Sequence, residues 1–305
     1  MFFRNLTLFR FAENLPRSIR KLPSSLDEHR LRSPGPIELA TRGFVSPFGR
    51  DSEALTHQIG AFVLVTIGGE DRLLPSVVVN EELSARIAKI VTKQGRRVGA
   101  KERKQLKEEV ISELLPKAFI RPSRLNAYLD AENGWLVIDT ASRKAAEEAV
   151  DQFRTAMGRF PAVPAAPENS PRTVMTDWLI HGKLPKGLAL GDECELRDPA
   201  EAGAIVRCRR QDLESDEVRE HLKSGKQVFQ LGLTFDDRIG LVLGEDLVVR
   251  KLRFLDAVTD ELGDETPESA QQELDAKFAL MSLELRRLLD KMDEWFGLPR
   301  PGEQV

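Results

Sequence analysis

Residues 128–139 have the sequence YLDAENGWLVID. Two apolar runs in this segment are separated by a turn that contains Asn133 and Gly134. An Asn-Gly pair between apolar runs is typical of a β-hairpin, because the tight turn needs positive φ angles that these two residues adopt easily. The segment therefore predicts two antiparallel strands joined by a short turn.

Further strands are predicted on both sides of this hairpin. Residues 3–11 are rich in aromatic and β-favouring residues, which indicates a half-buried strand. The apolar run 61–67 is of strand length and ends at Gly68. The strand around this run is predicted at about 59–68. Further strands are predicted near 74–79 and in 193–210, and two or three more in 227–255.

A helical hairpin is predicted between Glu81 and Leu115, where apolar residues recur at helical spacing. The basic segment 94–99 divides this region, and Pro116 ends it because proline cannot continue a helix interior. A long last helix is predicted to open at Thr266-Pro267 and to carry one apolar stripe. That stripe consists of Leu274, Phe278, Met281, Leu285, Leu288, Met292 and Trp295. Other helices are predicted around 18–22 and at about 142–156, 173–182 and 215–225.

The order of these elements predicts an α+β fold with mostly antiparallel sheets, because strands and helices occur in clusters without strict βαβ alternation. Residues 160–167 carry three prolines, a composition typical of a linker, so we expect a domain boundary there. The segment 43–49 is interpreted as a loop with two exposed aromatic residues.

Composition indicates an ordinary globular protein, with 41% hydrophobic and 31% charged residues among 305. No apolar run approaches the roughly 20 residues that span a bilayer, and the N-terminus has no signal-peptide pattern. Two cysteines do not make a disulfide framework, so we expect a reducing cytoplasm. The net charge of −4 argues against a nucleic-acid binder, yet one basic surface can suffice because salt screens each field within roughly 10 Å.

Motifs for catalysis are not found in the sequence. It contains no glycine-rich phosphate loop with the required spacing and no GxSxG element. The four histidines are scattered, and Cys194 and Cys208 are too far apart for a zinc site. We therefore predict no enzyme activity, no cofactor and no metal. His57 is the one histidine worth considering for catalysis, although a partly buried histidine bonded to the backbone is the favoured interpretation.

The predicted helical hairpin carries a dense basic run in which Glu102 is the only acid. Such a run suits a polyanionic DNA backbone, since each neutralised phosphate releases condensed counterions. A solvated helix face is an equally good interpretation. The basic residues are Arg86, Lys89, Lys93, Arg96, Arg97, Lys101, Arg103, Lys104 and Lys107.

A second basic group follows in the 193–210 region. If this region is a strand, Arg207 and Arg209 share one face, and Arg210 lies on the other with Cys208. Phosphate contacts and ion pairs at a strand end explain the group equally well. At the exit of the hairpin, Phe119 stands between basic residues, where it could pack in an interface, stack on a base or lie in the core, and core burial is the default.

Several segments occur in an order and spacing that is informative only when they are taken together. They are 3–10, 43–49, 54–57, Leu74-Pro75, 114–119, 176–178, 209–213, Gly225-Lys226 and the C-terminal helix. These segments resemble the recombination-associated protein RdgC family of proteobacteria over nearly the whole chain.

This resemblance implies a curved α+β monomer with a protruding helical hairpin and a long C-terminal helix. It implies a centre domain of residues 1–80 and 118–165, a helical tip of 81–117 and a base domain of 166–305. Two such monomers would join at both ends into a ring-shaped homodimer with a basic hole. The finger of the family corresponds here to Lys117 and Phe119, near a dimer contact. Its basic inner rim corresponds to Arg210 and Lys226, with Gln211 beside them.

The function that follows from the resemblance is sequence-independent binding of double- and single-stranded DNA, which restrains RecA-mediated strand exchange in a cytoplasmic, nucleoid-associated protein. The predicted DNA contacts are Lys93, Arg96, Arg97, Lys101, Arg103, Lys104, Lys117, Arg207, Arg209, Arg210, Gln211 and Lys226, and the predicted dimer contact is Phe119. Two alternatives remain open at this point. One is a nuclease, which would need clustered carboxylates for metal ions, and the other is an adaptor that binds the recombinase without touching DNA.

Overall fold

The computed structural model describes residues 2–11, 16–200, 203–263 and 269–300. A first, seven-stranded sheet has the order β2-β4-β5-β6-β1-β7, with β3 also paired to β4, and the pairings are antiparallel. Its strands are β1 (Thr7–Phe11), β2 (Ala40–Val45), β3 (Thr56–Ile59), β4 (Phe62–Arg72), β5 (Ile120–Asp130), β6 (Trp135–Ile138) and β7 (Ala162–Pro164).

A second, five-stranded sheet has the order β12-β11-β10-β8-β9 and is also antiparallel. Its strands are β8 (Leu188–Arg197), β9 (Ile205–Arg209), β10 (Gln227–Phe235), β11 (Ile239–Gly244) and β12 (Val249–Phe254). The α-helices are α1 (Pro16–Asp27), α2 (Ser76–Gln94), α3 (Ala100–Leu114), α4 (Arg143–Met157), α5 (Pro171–His181), α6 (Asp216–Lys223), α7 (Asp256–Thr259) and α8 (Ala270–Phe296). Short 3₁₀ helices occupy Leu115–Lys117 and Asp260–Leu262. The predicted α+β class with antiparallel sheets is therefore confirmed.

The hairpin predicted from residues 128–139 is present as β5 and β6. Asp130 pairs with Trp135 at its end, and the Asp130 carboxylate accepts hydrogen bonds from the backbone N–H groups of Glu132 (3.1 Å) and Asn133 (3.0 Å). Gly134 has φ of 70°, the left-handed conformation that the turn requires. The local sequence thus specifies both the turn and the strand register.

Two apolar layers enclose the first sheet, because successive side chains of a strand point to opposite faces. Val63 and Val65 of β4 join a cluster with residues of α1 and α4. Phe62 and Leu64 join a second cluster that contains the stripe of α8 and the inner face of the second sheet. The predicted stripe of α8 is confirmed, with Phe278 among its fully buried residues.

The N-terminal segment connects the two sheets. Leu6 and Val249 exchange backbone hydrogen bonds of 2.8 and 3.0 Å, and the N–H of Leu252 donates to the carbonyl of Arg4 at 2.8 Å. Residues 4–6 therefore cover part of the outer edge of β12, while the chain continues directly into β1 of the first sheet.

Two predicted elements near prolines differ from the structure. Residues 76–79 begin helix α2 instead of forming a strand, with Pro75 extended at the N-cap (φ −60°, ψ 136°). The three valines that follow favour a strand by propensity. Only Val79 is buried, however, and its spacing of four residues from the buried Leu83 is that of one face of a helix. Residues 162–164 of the predicted linker form β7, an edge strand, where proline is tolerated because no partner needs its missing N–H.

Two further sequence-based interpretations need comment. Phe44 lies in β2 and is 1% exposed, so the expected exposed loop aromatic is wrong at this position. Thr266 and Pro267, the predicted start of the last helix, lie outside the described residues. Helix α8 begins at Ala270, and the Ser269 hydroxyl caps it by accepting a hydrogen bond from the N–H of Gln272 at 3.1 Å. None of the helices in the described ranges is both long and apolar enough to cross a membrane.

We predict that Arg286→Met lowers the free energy of unfolding by about 3 kcal/mol, because it leaves a buried carboxylate without its counter-charge. Arg286 binds Asp130, which is 1% exposed, through two hydrogen bonds of 2.8 and 2.7 Å. Urea denaturation measures the change. The control Lys291→Met on the same helix removes only an exposed ion pair to Glu294 and should cost less than about 1 kcal/mol. Equal losses in the two variants would contradict the assignment.

Candidate nucleic-acid interface

A groove crosses the outer face of the second sheet, opposite its apolar core. It consists of two adjoining depressions of about 630 and 700 Å³. The basic residues that line it come from three separate parts of the chain, which are the N-terminal segment, the end of β9 and β12. They are Arg4, Arg209, Arg210, Lys251 and Arg253.

Glycines keep the floor of the groove open. Gly191 of β8 and Gly232 of β10 lie side by side, and a Cβ atom added to Gly191 would come within 2.9 Å of the backbone of Gly232. A side chain at either position would therefore displace its neighbour. The bare backbone here allows a ligand to approach the sheet closely.

Two of the basic residues have unusual backbone conformations. Arg210 has φ of 53° and Lys251 has φ of 51°, in the left-handed region that non-glycine residues seldom adopt. Such conformations cost about 1 kcal/mol each and tend to cluster at functional sites. Both residues line the same groove, so the backbone directs both charged side chains to one place.

The charges in the groove are only partly neutralised. Lys251 forms an ion pair with Glu193, and Asp192 and Asp212 also line the depressions. The guanidinium groups of Arg209, Arg210 and Arg253 form no ion pair with any described residue, and the same holds for Arg4. An incoming polyanion would therefore find four guanidinium groups that need not first release a carboxylate.

The helical hairpin presents a second basic surface. Arg96 is bound by Glu102 through hydrogen bonds of 2.7 and 2.6 Å, which raise the pKa of the arginine. The other predicted residues of the hairpin are exposed and form no ion pair within the described part of the chain. They are Lys93, Arg97, Lys101, Arg103 and Lys104.

Phe119 lies where the hairpin returns to the first sheet, and it is 84% exposed. Core burial, the default expectation, is wrong here because Leu115 takes the buried position in the preceding 3₁₀ helix. Backbone hydrogen bonds join this point to the ends of neighbouring strands, from Leu73 N–H to Phe119 O (2.8 Å) and from Arg72 N–H to Leu39 O (2.8 Å). The exposed apolar residues that this pairing brings together, which we call the apolar patch, are Leu39, Leu73, Phe119 and Ile120.

Comparison with known proteins identifies the family. A family model described as "Putative exonuclease, RdgC" matches residues 1–298. The chain belongs to the RdgC family. The resemblance inferred from the sequence is thereby confirmed.

Individual RdgC relatives match along almost their full length. The recombination-associated protein RdgC of Xanthomonas campestris pv. campestris strain B100 is 49% identical over 301 residues, which are 98% of this chain and 99% of that protein. The same-named proteins of Xanthomonas axonopodis pv. citri strain 306 (49%) and Xylella fastidiosa strain 9a5c (48%) match over 289 residues, which are 94% of this chain and 95% of theirs. The relatives are named for recombination, whereas the family model carries an exonuclease description.

The structure brings together only part of the predicted DNA contacts of this RdgC-family chain. Arg209, Arg210 and Gln211 line the groove. Arg207 instead bonds to Glu195 at 2.7 Å. Burial alone would raise the pKa of Glu195, but hydrogen bonds from Arg207 and Arg197 lower it below its usual range.

Two other rim residues have local partners. The amide of Gln211 donates to Glu217 at 2.5 Å, and the ammonium of Lys226 donates to the Ser224 hydroxyl at 3.2 Å. Lys226 is half-buried and does not line the groove. The predicted alternation holds for Arg207 and Arg209, which are exposed, and for Cys208, which is buried.

The predicted position of Arg210 on the face of Cys208 is wrong. Arg210 follows the last residue of β9, and its positive φ breaks the strand alternation, so its exposed side chain lines the groove with Arg209. Sequence analysis also missed three groove residues, Arg4, Lys251 and Arg253. The alternation of basic and apolar residues in 249–254 could have indicated that Lys251 and Arg253 lie on the exposed face of a strand. No local pattern places Arg4 beside that strand.

His57 packs among aromatic side chains in the protein interior. It is 9% exposed, its ring contacts Phe48 and Phe278, and its Nε2 lies 3.1 Å from Asp275 Oδ1. Burial lowers the pKa of His57, and Asp275 opposes this shift. The expected burial of this histidine is correct, but the expected hydrogen bond to the backbone is wrong, because Nε2 has no hydrogen-bond partner and only the Asp275 carboxylate lies nearby. Among the described residues, no group of three or more His, Cys, Asp or Glu side chains could hold a metal ion.

We predict that Arg210→Gly leaves the free energy of unfolding within about 0.5 kcal/mol of the wild-type value. The left-handed backbone suits glycine, and this gain offsets the greater freedom of glycine in the unfolded chain. The matched control is Arg209→Gly in the extended strand, which should lose about 1 kcal/mol because glycine weakens a strand without relieving strain. Urea denaturation of both variants tests this, and an Arg210→Gly loss as large as that of Arg209→Gly would refute it.

Proposed function

We propose that this RdgC-family chain binds double- and single-stranded DNA without reading its sequence. The observation that carries the proposal is the groove, where four guanidinium groups without carboxylate partners stand over a floor of bare backbone. Phosphate contacts position a protein on DNA but carry no sequence information. Arginine suits them because its planar group can bond two phosphate oxygens at once.

The acidic net charge of −4 is compatible with this proposal. Much of the basic charge is neutralised within the protein, as in the ion pairs of Arg286 with Asp130 and of Arg238 with Glu284. Four arginines without an ion pair lie together in the groove, and salt screening confines the repulsion of distant acidic residues to short range. The exposed cations of the hairpin would add a second contact region along the same DNA.

We further propose that two chains form a ring around DNA. The apolar patch at the base of the hairpin supplies one self-complementary contact, with Phe119 inserted into the second copy. A two-fold ring needs a separate contact at the other end of each subunit. Enclosure would slow dissociation without strong individual contacts, and a protein that occupies DNA in this way would restrain RecA-mediated strand exchange. Such a protein would be found with the nucleoid in the cytoplasm.

We propose a role without catalysis, although the family model is described as an exonuclease. A nuclease needs carboxylates grouped around metal ions, and magnesium-dependent cleavage of labelled DNA would reveal one. The adaptor alternative, in which the chain binds the recombinase alone, predicts no mobility shift when purified protein is mixed with DNA.

We predict that Arg210→Glu weakens DNA binding and relieves the inhibition of RecA strand exchange. The wild-type affinity should fall steeply with salt, by a slope of about 0.9 per phosphate neutralised on duplex DNA, and should vary little with sequence. The variant should have a smaller slope. The control Lys21→Glu makes the same charge change on α1, which packs on the far face of the first sheet. A variant that binds and inhibits like the wild type would remove Arg210 from the interface.

We predict that Phe119→Ala converts the dimer largely to monomer in sedimentation velocity, because a large exposed aromatic is typical of an interface anchor. The folded state should be unaffected, since the side chain is 84% exposed. The control Ile180→Ala truncates an apolar side chain on α5 that is 46% exposed and should leave the dimer unchanged. A Phe119→Ala variant that stays dimeric would place the interface elsewhere.

A further inference from the structure

A second groove lies on the first sheet, beyond the part of its face that α8 covers. It has a volume of about 400 Å³ and lies where β2, β4 and β5 run beside each other. Arg50 and Arg124 line it together with the hydroxyl-bearing Ser46, Ser52 and Ser123. None of these residues belongs to the DNA contacts proposed above.

Two guanidinium groups meet in this groove without an ion-pair partner among the described residues. Arg124 is exposed, and it donates a hydrogen bond from Nη2 to the carbonyl of Ser46. Burial lowers the pKa of Arg124, and the nearby positive charge of Arg50 lowers it further. Within the described ranges, no carboxylate forms an ion pair with either arginine. Like charges held together in this way favour the binding of an anion between them.

The lining also contains a third arginine, Arg30, and one carboxylate, Glu70. Arg30 also lines the groove, but its Nε is bonded to Asp27 at 2.8 Å. Glu70 lies two residues beyond Gly68 on β4 and lines the groove without pairing to Arg50 or Arg124. One carboxylate against two unpaired guanidinium groups leaves an excess of positive charge.

The floor and walls suit a small oxyanion. Gly68 pairs with Arg124 across the two strands, and a Cβ at Gly68 would come within 2.6 Å of Val45 Cγ1, so the backbone there must remain bare. The Ser46 Oγ accepts a hydrogen bond from the N–H of Phe48 at 3.2 Å, which leaves its own hydrogen free to donate. Guanidinium and hydroxyl donors therefore converge from different directions, as a tetrahedral anion requires.

We infer that this groove binds a phosphate group through Arg50, Arg124 and the Ser46 hydroxyl. The phosphate is carried either by DNA or by a free phosphate ester such as a nucleotide. The site does not depend on the proposed DNA-binding function, because it lies on the other sheet and uses other residues. Arg124 forms the fixed part of the site, and Arg50, which is exposed, closes over the ligand.

The first experiment uses inorganic phosphate as the probe. Thermal unfolding of the full-length protein is followed as phosphate replaces chloride at constant ionic strength, and saturable stabilisation measures the affinity. Arg50→Gln should lower the affinity at least tenfold, the typical effect of losing one charge-assisted hydrogen bond, whereas Arg50→Lys should retain part of it. Arg219→Gln is the matched control, because it removes an exposed arginine of α6 that lies in neither groove and pairs only loosely with Asp216. Arg124→Lys is the companion variant that keeps the positive charge.

A second experiment identifies the source of the phosphate. The salt dependence of DNA binding is compared for the wild type and Arg50→Gln. A slope reduced by about one in the variant assigns the site to a DNA phosphate. Lost phosphate stabilisation with an unchanged slope assigns it to a free phosphate ester. The inference is overturned if phosphate does not stabilise the wild type, or if Arg50→Gln responds as the wild type does, even when DNA binding itself is intact.

Discussion

The exchange of hydrogen bonds between Leu6 and Val249 is the contact on which the arrangement of the two sheets depends. It joins the N-terminal segment to the edge of β12, and β1 begins one residue later in the other sheet. Because the segment is held at both ends, Phe3 is fixed against Tyr128 in the shared core at a ring distance of 5.7 Å. The same segment carries Arg4 to the groove of the second sheet, so one backbone contact completes both the core and the basic surface.

The local parts of this fold could be predicted from sequence, and the long-range parts could not. The β5–β6 hairpin and the stripe of α8 depend on residues that are close in the chain, and both were predicted correctly. The helix start at Ser76 was missed because its valines fit a strand equally well, and only packing of Val79 decides between the two. The rim and finger positions came from the family resemblance and not from local patterns, and they stay predictions.

The residues of the candidate site show the same limit of sequence-based prediction. Arg209 and Arg210 were found because they form a basic run, whereas Lys251 and Arg253 alternate with other residues in a strand and Arg4 stands alone. Their convergence follows from β12 pairing with the N-terminal segment, more than 240 residues apart in sequence. Arg207 belongs to the same run but bonds to a buried carboxylate, so counting basic residues overestimates the number that can meet a ligand.

The distribution of ion pairs explains how one acidic chain can present basic grooves. Where an arginine reaches a buried carboxylate, as Arg286 does at Asp130, the pair stabilises the core and contributes no field outside. Where the neighbouring backbone is glycine, as at Gly232 and Gly68, the glycine itself supplies no side chain to neutralise the arginines beside it. A glycine in a strand weakens the sheet, and it also leaves that part of the sheet surface without a side chain. The glycine-floored parts of both sheets therefore combine a bare backbone with an excess of positive charge, and an anionic ligand that binds there would neutralise that excess.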